Sequence, residues 1–365
     1  MLRRLTLLGV SLVLLVLTTT AFFVATSSQS HASTKGPETT VKKDGIVKRG
    51  NLYTVGKPPE SAEKVYFGIE PIQAYGVSLA DNTWKVNFYM WYRWKGPIDP
   101  VATTLFDNAT DAETNFTTTY AYTDARGNEA PIELADGYKY QLTYVQAGFA
   151  SEFDLSHYPL DSQKLDIRFE NSTYDYSQLV YIPDPSGSSE EGFVVSDWDV
   201  SGISTQAFLK EYTTNFGNTD AGDGFKQWSL GVFSISVERP LAHFFVKLLL
   251  PLIIVLAASI LVLLLKSEHE ISRLALSGTG LLTLIFLQQS YSADLPPTAP
   301  LVLMDKFYVL AFCIVLFTFG RIIWETTQVF HHKRAADQFI IADRVLAGIL
   351  GVLFLGGISI LAFVS

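Results

Sequence analysis

A single cysteine, Cys313, serves 365 residues, and it stands inside an apolar run. No disulfide and no cysteine-based metal site can form within one chain, so an exported domain here folds without covalent staples. Histidine is scarce too: six are scattered along the chain, and His331 and His332 share one basic stretch. There is no GxSxG, no HExxH and no Cys/His pairing, which removes the common nucleophile and metallohydrolase signatures. With no nucleophile–base pair in view, the chain reads as a non-enzyme without cofactor or bound metal. Basic residues are outnumbered, 27 Lys+Arg against 36 Asp+Glu. That balance argues against nucleic acid as a partner.

What is abundant is apolar sequence, 48% of residues. It is concentrated at the extreme N-terminus and after Pro240, the distribution of a membrane protein. Charge is segregated as well. Residues 33–240 hold 17 Lys+Arg and 29 Asp+Glu, a net of −12, whereas 241–365 hold 8 and 7. The start, with Arg3 and Arg4 before an apolar stretch and Ser30-His31-Ala32 behind it, fits a signal peptide over 1–32. Residues 33–63 form an N-terminal extension. Three Asn-x-Ser/Thr sequons, at Asn108, Asn115 and Asn171, occur at chance density and are given no role.

Four stretches after Arg239-Pro240 reach the roughly 20 residues that cross ~30 Å of hydrocarbon: about 242–265, 273–292, 302–322 and 344–364. The first carries Pro251 in mid-helix; the third and fourth are mainly Leu, Ile, Val and Phe, suited to lipid. Lys266 and Arg273 mark the first connection and Lys333, Arg334 and Arg344 the third, while the second has only Lys306 against Asp294 and Asp305. The positive-inside rule puts the first and third in the cytoplasm. Residues 33–240 and the C-terminus then lie on the extracellular or periplasmic side, as the signal peptide requires. The third connection is short, so no cytoplasmic domain is expected.

The second stretch departs from its neighbours. It carries Ser277, Gly278, Thr279, Gly280, Thr283, Gln288, Gln289 and Ser290. Steps of four and three place Ala275, Thr279, Leu282, Phe286, Gln289 and Ala293 on one stripe. That stripe is small and hydroxylated at one end, bulky and apolar midway, and amide-bearing at the other. Small and hydroxylated residues also mediate tight helix packing. The alternative is a helix lining water. One such helix cannot enclose a pore, so a channel needs a symmetric ring of subunits.

Between 64 and 240 the pattern is strand-like, with WKVNFYMWYRW and WSLGVFSISVER alternating between turns such as ARGN, ADG, PDPSG and DAGDG. About ten short strands in an immunoglobulin-like β-sandwich are predicted. DAGDG lacks the acidic ladder of a calcium loop and reads as a plain turn.

One stretch is specific. SEFDLSHYPLDSQKLDIRFENSTYD resembles the signature loop of the pentameric ligand-gated ion channels, the Cys-loop receptor superfamily, with Tyr158-Pro159-Leu160-Asp161 as its aromatic-Pro-x-Asp turn. The two family cysteines fall on Ser151 and Leu165, so the loop lacks its disulfide, as in the prokaryotic branch. DWDV, the turn-rich EYTTNFGNTDAGDGF, VERP, GLLTLIFL and DLPP follow in family order, and the likeness runs from about 64 to 365. It implies a homopentamer in a lipid bilayer: a ring of β-sandwiches over four helices per subunit, the second lining a path for inorganic ions. The family's Trp-x-Pro loop has no counterpart between Pro100 and Phe116. Gly96 and Ser172 stand where relatives often carry an acid and an aromatic.

The resemblance also assigns residues. Tyr89, Tyr174, Tyr212, Phe216 and Phe225 are candidates for an aromatic agonist pocket at the subunit boundary, with sandwich core as the alternative use of the same rings. The agonist class stays open among a proton, a divalent ion and a small organic cation. Asp81, Tyr158, Pro159, Asp161 and Arg239 are implied to meet above a linker that includes Pro296, coupling the outer domain to the membrane domain. For selectivity, Ile271-Ser272 ahead of Arg273 matches neither the cation-selective nor the anion-selective pattern. Extended backwards by seven residues, the stripe takes in Glu268 if the helix begins that early, and Glu270 lies nearer the mouth but off phase. Five copies of either make an anionic ring, so cation selectivity is expected. An anion channel of the same family and a non-conducting membrane sensor are the alternatives.

Overall fold

The computed structural model of the chain describes residues 40–41, 47–49, 52–54, 58–110, 117–187, 192–218, 227–240, 244–266, 269–297, 301–332 and 337–364. Apolar alternation becomes strand wherever it was strict. TWKVNFYMWYRW is β5 (Thr83–Trp94), and its even-numbered residues from Trp84 to Trp94 are all buried. A period of two does this when one strand face meets a core.

Two antiparallel-rich sheets hold the strands. In the first, β1 (Thr40–Val41), β2 (Val47–Arg49), β3 (Leu52–Thr54), β14 (Asp199–Glu211), β15 (Gln227–Glu238), β11 (Ser162–Asn171) and β6 (Thr104–Phe106) lie side by side. In the second the order is β12 (Leu179–Pro183), β4 (Glu63–Ser78), β5, β10 (Lys139–Ala150) and β7 (Ala109–Thr110). Here β13 (Val194–Val195) adds to β4, and β8 (Thr117–Tyr120) and β9 (Ile132–Glu133) add to β10. Rings from both sheets interlock between them. Phe67 of β4 meets Phe169 of β11 edge-on at 4.9 Å, and Phe106 of β6 lies 5.8 Å from Phe149 of β10. Such pairs contribute about 0.5–1.5 kcal/mol each beyond the burial of their area.

The described strands number fifteen rather than about ten. The surplus consists of pieces too short to show a period, together with β1–β3 in the N-terminal extension, where Leu52–Thr54 pairs with Phe208–Lys210 at the edge of β14. The sequon at Asn108 is structural. Its buried amide donates to Ala150 O at 2.9 Å and Asp166 O at 2.8 Å and accepts from Arg168 N, bridging the two sheets.

Among the described residues, four helical stretches are long and apolar enough to cross a membrane: Phe245–Leu264, Glu270–Ser292, Leu303–Phe330 and Gln338–Ser359. Their regular α-helices are α1 (Leu250–Leu261), flanked within its span by a π-turn and a 3-10 turn, α2 (Glu270–Ser292), α3 (Leu303–His332) and α4 (Asp337–Val364). A wide π-turn at Phe244–Leu249 precedes α1, so Pro251 falls at the start of the regular helix, where its missing N–H costs least. Gly280 of α2 sits against α1: a Cβ there would come within 2.4 Å of Ser259 Oγ. The chain divides into two compact units, Lys35–Phe153 with Ser162–Arg239, and Asp154–Asp161 with Pro240–Ser365. The predicted β-sandwich followed by a four-helix membrane bundle is the fold.

Candidate functional site

The second helix has two sharply different sides. Arg273, Ser277, Leu284 and Tyr291 are buried. Ala275, Thr279, Leu282, Phe286, Gln289 and Ala293 are all exposed, with Leu282 at 53% and Phe286 at 62%. At 3.6 residues per turn these sets lie on opposite faces. Thr279 and Thr283 return their hydroxyls to Ala275 O and Thr279 O at 2.9 and 2.8 Å, so each donor is satisfied within the helix. The exposed face of α4 differs, presenting Ile341, Val345, Val352 and Leu355. That is a lipid-compatible surface; one bearing Thr279, Gln289 and Ser290 is not.

At the N-terminal end of α2, charge is gathered out of solvent. Arg273 Nη1 lies 3.0 Å from Glu325 Oε2, and its Nη2 lies 3.0 Å from Asp343 Oδ2. Arg321 Nη2 reaches Asp343 Oδ1 at 2.9 Å, and its guanidinium covers the Trp324 ring at 4.7 Å. Two positive and two negative groups thus bind α2, α3 and α4 together with no net charge. Sequence reading ended the third span at 322 and began the fourth at 344. The helices instead run on through these residues, because the charges that interrupt the hydropathy neutralise one another in the packed interior. The overlooked signal was Arg321 and Glu325, one turn apart beside an apolar run.

Glu270 opens α2 on the side of Arg273 rather than on the exposed stripe. Its Oε2 is shielded from solvent, with no partner among the described residues. Glu268 lies outside the described residues. At the other end of the helix, the Tyr291 hydroxyl donates to Asp305, which also accepts from Val302 N at 3.1 Å, and Tyr291 stacks on Tyr308 at 5.0 Å. Pro296, in the linker that follows, is half-buried.

The signature loop carries a cis peptide at Tyr158-Pro159, and Tyr158 and Asp161 are both buried. Arg239 covers the Trp198 ring at 4.4 Å. Asp81, at the tip of the β4–β5 hairpin, accepts from Ser78 Oγ at 2.8 Å.

Of the five candidate pocket aromatics, the structure joins two. Tyr212 and Phe216 meet edge-on at 5.0 Å. Tyr89 is exposed on the other sheet, 5.3 Å from Tyr144. Tyr174 is half-buried in the turn after β11, its N–H donating to Asn171 Oδ1 at 2.8 Å. Phe225 lies outside the described residues. Sequence reading missed the charged set beside Tyr212. Lys210 Nζ contacts Asp107 Oδ2 at 2.9 Å and Glu170 Oε2 at 3.1 Å, and Arg168 Nε contacts Asp107 Oδ1 at 3.2 Å. Burial and its hydrogen bond to Glu170 push the Tyr212 phenol above its ordinary pKa, so it remains a donor. The available signal was Glu170, which follows the buried Phe169 at the end of β11, and Lys210 beside Glu211 at the end of β14.

No family model matches the chain. Curated relatives are neuronal acetylcholine receptor subunits beta-4. The Rattus norvegicus subunit is 21% identical over 186 residues, 50% of this chain and 34% of its own length. The Gallus gallus subunit is 23% identical over 186 residues, 36% of its length, and the Bos taurus subunit 22%, 34% of its length. The chain thus spans about a third of the length of the curated relatives it matches. The four membrane-length helices among the described residues mark a multi-pass membrane protein, and its likeness to the receptor subunits is distant and partial.

Proposed function

We propose that the protein is a ligand-gated ion channel: a homopentamer whose second helices line a cation-selective path, opened by a chemical signal sensed in the outer β-sandwich. The observation that carries this reading is the exposed polar face of α2, opposite its buried face. A single helix leaves that face without cover, and Gln289 and Ser290 are costly against hydrocarbon. Five copies around an axis would turn the face to water and close the ring. The Leu282–Phe286 belt is then the narrow apolar barrier that gates by dewetting. Cation selectivity is supported by the fate of Arg273, whose charge is cancelled by Glu325 and Asp343 rather than offered to the mouth. Glu268, seven residues before Ala275 in the sequence, supplies the anionic ring. The sandwich and the C-terminus lie on the extracellular or periplasmic side, and Asp81, Asp161 and Arg239 couple the sandwich to the linker containing Pro296.

Recording from purified protein in planar bilayers tests the reading. Discrete unitary currents that depend on an added chemical signal are expected. A correctly assembled protein that passes no current under proton, divalent-ion and organic-cation challenge would turn the reading towards a non-conducting sensor.

A further inference from the structure

The N-terminal extension carries charge of the opposite sign to the domain that follows it. Residues 33–57 hold six Lys+Arg and two Asp+Glu, whereas 58–240 hold 11 and 27. Within TVKKDGIVKRGNLYT (40–54), Asp44-Gly45 and Gly50-Asn51 separate three short runs with β-branched residues. Asp-Gly and Gly-Asn are pairs that short hairpin loops use. β1, β2 and β3 form an antiparallel meander, with Val41 opposite Val47 and Arg49 opposite Leu52. β3 then pairs with β14, Tyr53 opposite Leu209 and Leu52 opposite Lys210. That contact lies at the far end of a long hairpin. β14 and β15 run together from Asp199 opposite Glu238 to Glu211 opposite Gln227, and β3 takes hold just before their connection. Among the described residues, no other strand pairs with that edge of β14.

We propose that β1–β3 form a strap that clips the loop end of the β14–β15 hairpin and is held there by charge, so that it opens as ionic strength rises. An unpaired sheet edge offers its N–H and C=O groups to any passing strand. β3 satisfies those of Phe208–Lys210 from within the chain, and the two-residue β1 leaves little new edge behind it. Three paired residues make a short ladder, of the kind that opens locally without unfolding the rest of the sheet. Charge strengthens the hold. Lys48 and Arg49 stand in the rows of Leu209 and Lys210, beside the stretch 211–226, which carries Glu211, Asp220 and Asp223 against Lys226. Lys210 does not oppose Arg49, because Asp107 and Glu170 match its charge at 2.9 and 3.1 Å. The reach of attraction between surface charges falls from ~10 Å at about 0.1 M salt to ~3 Å at about 1 M. Closed, the strap ties down the end of the hairpin; open, it frees that end and exposes the β14 edge. Any effect on ion flow rests on the channel reading; the strap does not.

The test is hydrogen–deuterium exchange of the purified protein in detergent, read by mass spectrometry. Successive N–H groups of an inner strand point to alternate neighbours, so at least one amide among Phe208–Lys210 depends on β3 alone. Tyr53 is in the middle strand between β2 and β14, so Tyr53→Pro removes a ladder bond whichever neighbour it serves. At about 0.1 M NaCl that variant is expected to exchange one or two amides of Phe208–Lys210 roughly tenfold or more faster than wild type. Raising NaCl to about 1 M should speed the same amides in wild type and leave Tyr53→Pro unchanged. Peptides from β5 should exchange alike throughout, which separates release of the strap from loss of the sheet. Equal exchange in wild type and Tyr53→Pro would overturn the strap, and an equal salt response in both would overturn its hold by charge. Should Tyr53→Pro not fold, Lys48→Gln combined with Arg49→Gln takes its place, since it leaves the backbone pairing possible. It is expected to exchange faster than wild type at the lower salt and to match it at the higher. Exchange identical to wild type at both salts would contradict the proposal. No current is measured, so failure of the strap and failure of the channel reading are separate results.

Discussion

Arg273 and Asp343, seventy positions apart, meet at 3.0 Å with both side chains almost wholly out of solvent. Their contact fixes the first turn of α2 to the start of α4, and Arg321 shares the same carboxylate. Breaking a buried ion pair from one side leaves an uncompensated charge and costs about 3–5 kcal/mol. Asp343→Asn leaves Arg321 without its carboxylate and Arg273 with Glu325 alone, and a guanidinium cannot shed its charge, whereas Arg273→Gln leaves Asp343 with Arg321 and strands only Glu325, which can take up a proton. The Asn variant should therefore lose more stability in detergent melting than the Gln variant. Equal and negligible losses would show that the network contributes little to holding the helices.

Leu282→Ser should hydrate the apolar belt and shift the channel towards conduction, because rings of Leu282 and Phe286 exclude water only while both are apolar. Dose–response curves should move to lower agonist, or basal current should rise, several-fold. A variant that reaches the membrane and opens no more readily than wild type would remove the belt as the barrier.

The stripe on α2 was legible from phase alone, since residues at steps of three and four share a face whatever their neighbours. The buried face was not, because Arg273 and Ser277 read as polar in sequence, and Arg273 is held in the interior by Glu325 and Asp343 on other helices. In the sandwich, β5 announced itself by strict alternation over twelve residues. The charged cluster around Lys210 did not. Asp107, Glu170 and Lys210 are far apart in sequence and come together through the β6–β11–β15–β14 pairing.

Arg239→Gln should impair gating while leaving assembly intact. The guanidinium is proposed to hold Asp81 and Asp161 in register, and its loss leaves like charges close together. The stacking of Arg239 on Trp198 predicts a modest stability loss alongside. Unaltered activation curves in the variant would refute the coupling role.

The proposed cation selectivity is assigned to Glu268 and, secondarily, Glu270. At ~6 Å one carboxylate is worth roughly 0.7 kcal/mol to a monovalent cation at the dielectric of water, and five together exceed the ~1.4 kcal/mol of a tenfold preference. Wild-type currents across a KCl gradient should reverse on the potassium side, and neutralising both glutamates to Gln should move the reversal towards zero. A double variant that keeps the wild-type reversal would remove these two residues from the filter, and a wild-type reversal near the chloride potential would make the channel anion-selective.

The central claim is that one face of α2 meets water, and cysteine accessibility measures it most directly. In a Cys313→Ala background, single cysteines at Ala275, Thr279, Leu282, Phe286 and Gln289 should react with a charged methanethiosulfonate reagent and alter the current. Cysteines at Ser277, Leu284 and Tyr291 should stay inert. Modification that follows this alternation would establish the stripe as the wall of the ion path. Equal reactivity on the two faces, or none on the stripe, would contradict it.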